Sequence, residues 1–80
     1  MIEDEKFLDV LRILRREYIN AVAEHPIFAG SDAQAVCIIT EEVGELAKAV
    51  NEGNKEEEIT EAAHAAVTAI RMMEMLLDKE

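Results

Sequence analysis

Residues 31–64, SDAQAVCIITEEVGELAKAVNEGNKEEEITEAAH, contain the signals that decide the fold. The segment begins with Ser31, which together with Gln34 forms the sequence pattern of a capping box at a helix start. Gly53 is a typical left-handed helix stop, and Asn54 directly after it can cap a further helix. Because the turn between these two helices is so short, the sequence predicts that they form an antiparallel hairpin.

A first helix precedes this hairpin. Apolar residues recur at three- and four-residue steps over about residues 3–24, which is the periodicity of one helix face. The pair His25 and Pro26 ends that helix, because the residue before a proline is disfavoured in helical conformation. The helix after the hairpin turn continues to about Asp78, and no strand pattern is present. The sequence therefore predicts an all-α fold of three helices in a single domain spanning residues 1–80.

Composition excludes several function classes. The 80 residues include 8 Lys+Arg against 18 Asp+Glu, a net charge of −10, which argues against nucleic-acid binding because phosphate contacts need clustered Lys and Arg. Half of the residues are hydrophobic, unlike a disordered acidic tail. No apolar run approaches the ~20 residues that span a bilayer, so no membrane segment is expected. The single Cys37, expected to be a small buried residue, and the lack of a signal-like segment predict a cytoplasmic protein.

The expected core is aliphatic and rich in alanine, with no Trp, one Tyr and two Phe. A domain this short buries a limited fraction of its surface and often completes its core with a second copy. Small residues on the third helix let another helix approach closely. We therefore expect a homodimer or a homotetramer in which the hairpins pack as a helical bundle.

One carboxylate lies where the second helix is otherwise apolar. On a helical wheel Glu42 falls inside the apolar arc, between Ala35 and Ala49, and Glu45 falls at its edge beside Ile38. An isolated carboxylate on a buried face is unfavourable unless it is paired, protonated or bound to a cation. Simple solvation of the helix therefore explains Glu42 poorly.

The hairpin spacing brings more ligand-type side chains to the same place. Glu45 and Glu61 each lie eight residues from Gly53, and Glu42 and His64 each lie eleven residues from it. At a constant rise per residue, the members of each pair have the same height in the hairpin. The sequence thus predicts a metal site of Glu42, Glu45, Glu61 and His64, and carboxylate-rich sites favour Mg²⁺ or Mn²⁺.

Two alternatives stay open at this point. A glutamate-rich helix pair is also compatible with a solvated bundle that binds no metal. On the wheel of the third helix, Glu58 falls inside the apolar arc whereas His64 lies toward the polar side. Glu58 is therefore the alternative fourth ligand.

The segment EEVGELA, residues 41–47, resembles the first signature of the MazG-like all-α nucleotide pyrophosphohydrolases. That signature is E-x-x-E, here Glu42 and Glu45, and the family follows it with E-x-x-D on the next helix. In this chain Glu61-Ala62-Ala63-His64 occupies the second place, so a histidine stands where the family has its aspartate. The resemblance covers roughly residues 31–77.

The resemblance implies hydrolysis of a nucleoside triphosphate to the monophosphate and pyrophosphate, with bound Mg²⁺ (or Mn²⁺) gripping the phosphates and assembly into dimers or tetramers. Glu41 is then the candidate general base, and Lys48 and Arg71 are candidates for neutralising phosphate charge. The alternative is a catalytically degenerate helical module that binds a nucleotide or a protein partner without turnover, because His64 replaces the family's aspartate.

Overall fold

A computed structural model describes residues 4–79 and contains three α-helices and no strand over that range. The helices are α1 (Asp4–Glu24), α2 (Asp32–Glu52) and α3 (Lys55–Asp78). The all-α prediction is confirmed, and the helix ends lie within about one residue of the predicted ones. The predicted start of the first helix at residue 3 lies outside the described residues.

The ends of α2 and α3 follow from their capping residues. The Ser31 Oγ accepts a hydrogen bond from the Gln34 N–H at 3.1 Å, and the Asn54 Oδ1 accepts one from the Glu57 N–H at 3.1 Å. Gly53 has a φ of 73°, the left-handed conformation that glycine adopts without steric cost, and its N–H donates to the Ala49 and Val50 carbonyls. Local chemistry therefore fixes the turn between α2 and α3.

α3 is the central helix of the three. Both α1 and α2 contact α3, but no close backbone contact joins α1 to α2 within residues 4–79. The buried side chains lie on the two helices that pack most extensively, and they are mostly small: Ala35, Ala49, Ala63, Val67 and Arg71. Small side chains allow α2 and α3 to approach closely, whereas α1 lies against α3 without burying any residue completely.

Cys37 is exposed, which corrects the expectation that it is buried. The reason is its angular position on α2. Ala35 faces α3 and is fully buried, and two residues along an α-helix correspond to a rotation of about 200°. Cys37 therefore points away from α3.

Arg71 joins α3 to the carboxyl end of α1. Its side chain is only 8% exposed, and its guanidinium lies over the Phe28 ring at 5.2 Å from the centroid. The Arg71 Nη2 donates to the His25 carbonyl at 2.7 Å, and Nη1 donates to the Ala21 carbonyl at 3.4 Å. The Ala21 carbonyl also accepts from the His25 N–H at 2.8 Å, whereas the His25 carbonyl lies beyond the end of α1, and Arg71 supplies a donor to it.

Two further polar contacts connect the helices at the surface. The Tyr18 hydroxyl on α1 donates to the Glu74 carboxylate on α3 at 2.7 Å, and this hydrogen bond raises the pKa of Tyr18 above 10.0. Lys79 Nζ lies 2.6 Å from the Asp32 carboxylate. Over the same described range, no helix combines the length and the apolar character needed to cross a membrane.

Arg71→Met tests the structural role of the guanidinium. Methionine keeps an apolar stem but removes the guanidinium donors to the His25 and Ala21 carbonyls, so we expect the free energy of unfolding to fall by about 2 kcal/mol. Arg15→Met is the control, because Arg15 is exposed and its replacement should change stability by less than about 0.5 kcal/mol. Urea unfolding at one fixed protein concentration measures both. Equal effects would contradict the role assigned to Arg71.

Candidate metal centre

A cavity of about 430 Å³ lies where α1 and α2 diverge over α3. All three helices and the connection between α1 and α2 contribute to its lining. Apolar side chains such as Ile38 and Val67 line part of it, and carboxylates line another part: Glu17, Glu24, Glu41 and Glu42. The cavity therefore combines apolar surface with strong negative charge.

Three of the predicted ligands meet beside this cavity, and two of them, Glu42 and His64, line it. Glu42 on α2, and Glu61 and His64 one turn apart on α3, each place a potential ligand atom within 4.8 Å of those of the other two. All three residues are half-buried. The close packing of α2 on α3 produces this arrangement, because Ala35 and Ala49 flank Glu42 on the face that touches α3.

The other two candidate ligands lie outside this group. Glu45 is exposed, although its charge still acts on Glu42, and Glu58 is half-buried but does not join the three. His64, which the wheel of α3 placed toward the polar side, is half-buried with 37% of its side chain exposed. It is covered because α1 packs on that side of α3, a contact that the wheel of a single helix does not contain.

The donor set fits a divalent cation. Ligand atoms held about 2.1 Å from an octahedral ion lie about 3 Å apart when adjacent and about 4 Å apart when opposite, so the observed cluster needs only small side-chain movements. Two carboxylates suit Mg²⁺ and Mn²⁺, and an imidazole shifts the preference toward Mn²⁺ and other transition metals. Glu42, Glu61 and His64 are the residues that would hold the ion.

Repulsion within the cluster is visible at Glu42. Partial burial raises the pKa of Glu42 above 4.5, and the negative charges of Glu61, Glu45 and Glu41 raise it further, while His64 opposes them. An ionised Glu42 is therefore less favourable in the folded chain than in the unfolded one. Positive charge next to it, from a cation or from an imidazolium, relieves this penalty.

His64 supplies that charge when its ring is protonated. Its Nδ1 lies 3.2 Å from the Glu61 Oε1, and its Nε2 lies 3.0 Å from the Glu17 Oε1. Burial lowers the pKa of His64, but the hydrogen bonds to Glu17 and Glu61 and the charges of both carboxylates outweigh it, so the pKa lies above 6.5. The protonated ring then donates one hydrogen bond to each carboxylate.

Glu17 is the member of the site that sequence reasoning missed. It lies on α1, and only 13% of its side chain is exposed. The sequence does contain an indication of its position. Glu17 follows Leu14 by three residues and precedes Ala21 by four, so it lies on the face of α1 that carries apolar residues. The position of this carboxylate on an apolar face is the same kind of feature that identified Glu42.

The remaining candidates lie in different surroundings. Glu41 is exposed and lines the cavity, as a proton acceptor for a bound molecule would. Lys48 is exposed on α2 and does not line the cavity. Arg71 lines the cavity, but its guanidinium already donates to main-chain carbonyls and lies over Phe28.

Comparison with protein-family models finds no match, and comparisons with curated proteins and with solved structures find none either. The family resemblance therefore depends on the motif in residues 41–64 alone.

Glu42→Gln is expected to stabilise the metal-free chain. A raised carboxyl pKa means that stability is lost as the pH rises through the folded-state value, so removing the ionisable group helps at neutral pH and not below about pH 4. Because Glu42 is only partly buried, the gain should stay below about 1 kcal/mol. Thermal unfolding with and without Mn²⁺ measures it, and Mn²⁺ should raise the Tm of the unsubstituted chain but not of the variant.

Glu45→Gln is the matched control for Glu42→Gln, one helical turn away on the same helix. Because Glu45 is exposed and outside the cluster, this variant should keep most of the Mn²⁺-induced rise in Tm. Loss of the rise at Glu45 alone would show that Glu45, and not Glu42, holds the ion.

The stability of the metal-free chain should also depend on the protonation of His64. Because the folded-state pKa is raised, the contribution of His64 is fully present below its ordinary value of about 6.5 and is lost as the pH rises through the folded value. The difference in unfolding free energy between the unsubstituted chain and His64→Gln should thus shrink from about pH 6 to about pH 9. A difference that grows over this range would contradict the assigned contacts.

Proposed function

We propose that this chain is a metal-dependent nucleoside triphosphate pyrophosphohydrolase of the MazG-like type, which converts an (d)NTP to the (d)NMP and pyrophosphate. One observation carries the proposal. Glu42 and His64, two of the three clustered ligand-type residues, line a cavity of about 430 Å³, a size typical of small-molecule sites. The signature of residues 41–64 supports the same reaction.

The negative charge of the site explains why a metal is needed. A triphosphate is a polyanion, and the carboxylates of Glu17, Glu41 and Glu42 would repel it from the cavity. A divalent cation supplies positive charge between the two negative partners and polarises a phosphoryl oxygen when bound. The imidazole in the donor set favours Mn²⁺ over Mg²⁺ for this chain.

The chain's own groups complete the proposed reaction. Water attacks phosphorus, the anhydride bond between the α- and β-phosphates breaks, and the proton of the water passes to the Glu41 carboxylate at the cavity lining. Lys48 is exposed and reaches phosphate only by moving toward the cavity. Arg71 is a weaker candidate for phosphate binding, because its hydrogen bonds to the carboxyl end of α1 would have to break.

A second function is favoured by a specific contact. Both ring nitrogens of His64 lie against carboxylates, so an imidazolium already neutralises the cluster without an external cation. If that arrangement is the working state, the chain is a catalytically degenerate module that binds a nucleotide or a protein partner. The two functions differ in whether divalent metal displaces the proton of His64.

Assembly with a second copy is the other part of the proposal. The accessible surface is 5942 Å², whereas a folded monomer of 8.9 kDa is expected to expose about 4,800 Å². A surface larger than expected is consistent with a chain that covers part of it with a second copy. We propose a homodimer, or a homotetramer made from two such dimers.

The surface that a second copy would cover lies on α2. Five exposed residues recur at alternating steps of four and three, the spacing of a coiled-coil seam: Val36, Thr40, Val43, Ala47 and Val50. The three valines are 50–54% exposed in the single chain. This α2 seam lies on the edge of the apolar arc away from Glu45, so a partner seated there leaves the cavity open.

An antiparallel arrangement of α2 and α3 supports this assembly. The ion pair between Lys79 and Asp32 connects the end of α3 to the start of α2, as an antiparallel hairpin requires. Each copy would then contribute one hairpin to a helical bundle.

Incubation with a panel of nucleoside triphosphates tests the proposed reaction. With Mn²⁺, and more weakly with Mg²⁺, the chain should release pyrophosphate and the monophosphate, and Glu42→Gln should release neither. His64→Asp restores the carboxylate of the family pattern and should raise the Mg²⁺-dependent rate. Nucleotide binding without product, in the presence of either metal, would establish the non-catalytic function instead.

Val43→Glu tests the α2 seam. A carboxylate in the middle of the seam should shift the mass measured by sedimentation at micromolar concentration from dimer or tetramer toward monomer. Ala23→Glu is the control, because Ala23 is exposed on α1 and should leave the mass unchanged. A monomeric mass for the unsubstituted chain would contradict the proposed assembly.

A further inference from the structure

Both carboxylate oxygens of Glu17 have hydrogen-bond partners. Its Oε1 lies 3.0 Å from the His64 Nε2, and its Oε2 accepts from the Arg16 Nε at 3.3 Å. With only 13% of the side chain exposed, this carboxylate has little freedom to turn away from the ring. Among the hydrogen bonds of residues 4–79, the one between Glu17 and His64 is the only one that joins α1 to the three clustered residues.

A neutral His64 ring cannot donate a hydrogen bond to both of the carboxylates that it contacts. A neutral imidazole carries one N–H, so it can donate to Glu17 or to Glu61 but not to both. The contact with Glu17 is shorter, 3.0 Å against 3.2 Å, and its carboxylate is less exposed, 13% against 25%. Both differences favour the N–H on Nε2, an arrangement that leaves the Nδ1 lone pair facing the Glu61 oxygen.

A lone pair that faces a carboxylate oxygen is repulsive unless a proton or a cation lies between them. The Glu61 carboxylate faces Nδ1, and Glu61 and Glu42 each place a potential ligand atom within 4.8 Å of one of His64. In metal sites a ligating histidine commonly donates its other ring N–H to a carboxylate, which fixes the tautomer and the ring orientation. Glu17 is the carboxylate next to the other ring nitrogen of His64.

We propose that Glu17 is a positioning residue, which holds the neutral His64 ring as the Nε2–H tautomer and presents Nδ1 to a divalent cation held with Glu42 and Glu61. The ligand role of Nδ1 rests on the proposed function, whereas the tautomer does not. Glu17 belongs to α1 and the ligands to α2 and α3, so the site is complete only when α1 is packed on α3.

The tautomer can be measured without any metal. Long-range ¹H–¹⁵N correlation spectra of the metal-free chain at alkaline pH, where both histidines are neutral, distinguish a protonated from an unprotonated ring nitrogen. His25→Gln assigns the signals, because the chain has two histidines. We expect Nε2–H for His64 in the unsubstituted chain and in Glu17→Gln, whose amide oxygen still accepts, and a mixture of tautomers in Glu17→Ala.

Mn²⁺ binding, followed by the loss of the free-ion electron paramagnetic resonance signal, tests the effect on the site. Glu17→Ala should lose about 10- to 100-fold in affinity, the usual effect of removing such a partner. Glu17→Gln carries the same change of charge but keeps the acceptor, so it should retain most of the affinity. Glu5→Ala removes an exposed carboxylate of the same helix that lies outside the cavity, and it should bind as the unsubstituted chain does.

The outcomes separate the two proposals. If the unsubstituted chain binds no Mn²⁺ at millimolar concentration, the metal site fails, and with it the ligand role of His64. If Mn²⁺ binds but Glu17→Ala matches Glu5→Ala in affinity and in tautomer, the site stands and the role of Glu17 is overturned. Equal losses in Glu17→Gln and Glu17→Ala, with helical content unchanged by circular dichroism, would show a charge effect and also overturn it.

Discussion

The contact of α2 with α3 forces Glu42 and Glu61 together, and neutralising that pair is the constraint on which the site depends. Small residues at the interface, such as Ala35 and Ala63, let the two helices approach and carry Glu42 into the contact face. Burial and the neighbouring carboxylates then make ionised Glu42 unfavourable. His64 lies where it relieves this repulsion, either as an imidazolium or as a ligand that shares a cation with both glutamates.

In the described part of the chain, the first helix is attached to α3 by polar groups at three places, in place of a fully buried apolar face, and one of them is the hydrogen bond from Tyr18 to Glu74. Near its middle, Glu17 meets His64, and at its carboxyl end the carbonyls of Ala21 and His25 meet Arg71. No residue of α1 is fully buried in the single chain. The placement of α1 is thus coupled to the same residues that form the candidate site, so that packing and site chemistry are not independent in this protein.

The helices could be predicted from local chemistry, whereas the residues that form the site could be predicted only in part, because tertiary contacts place them. Ser31, Gly53 and Asn54 set their helix ends through neighbours a few residues away, so their pattern sufficed. The equal spacing around Gly53 correctly predicted that Glu42 and His64 lie at the same level along the two helices. Spacing along a helix does not determine the direction in which a side chain points. Glu45 lies about 60° from Glu42 around the axis and faces solvent. Glu17 contacts a residue 47 positions away in the chain, and Arg71 contacts one 46 positions away. The pattern of a single helix contains no information on such contacts.

Calorimetric titration of Mn²⁺ into the metal-free chain tests the central claim most directly. The account predicts saturable binding of one ion per chain, with a heat that depends on the ionisation enthalpy of the buffer, because the imidazolium of His64 must lose its proton before it binds metal. His64→Gln should remove that buffer dependence. The absence of saturable binding, or binding that survives the loss of both Glu42 and His64, would contradict the account.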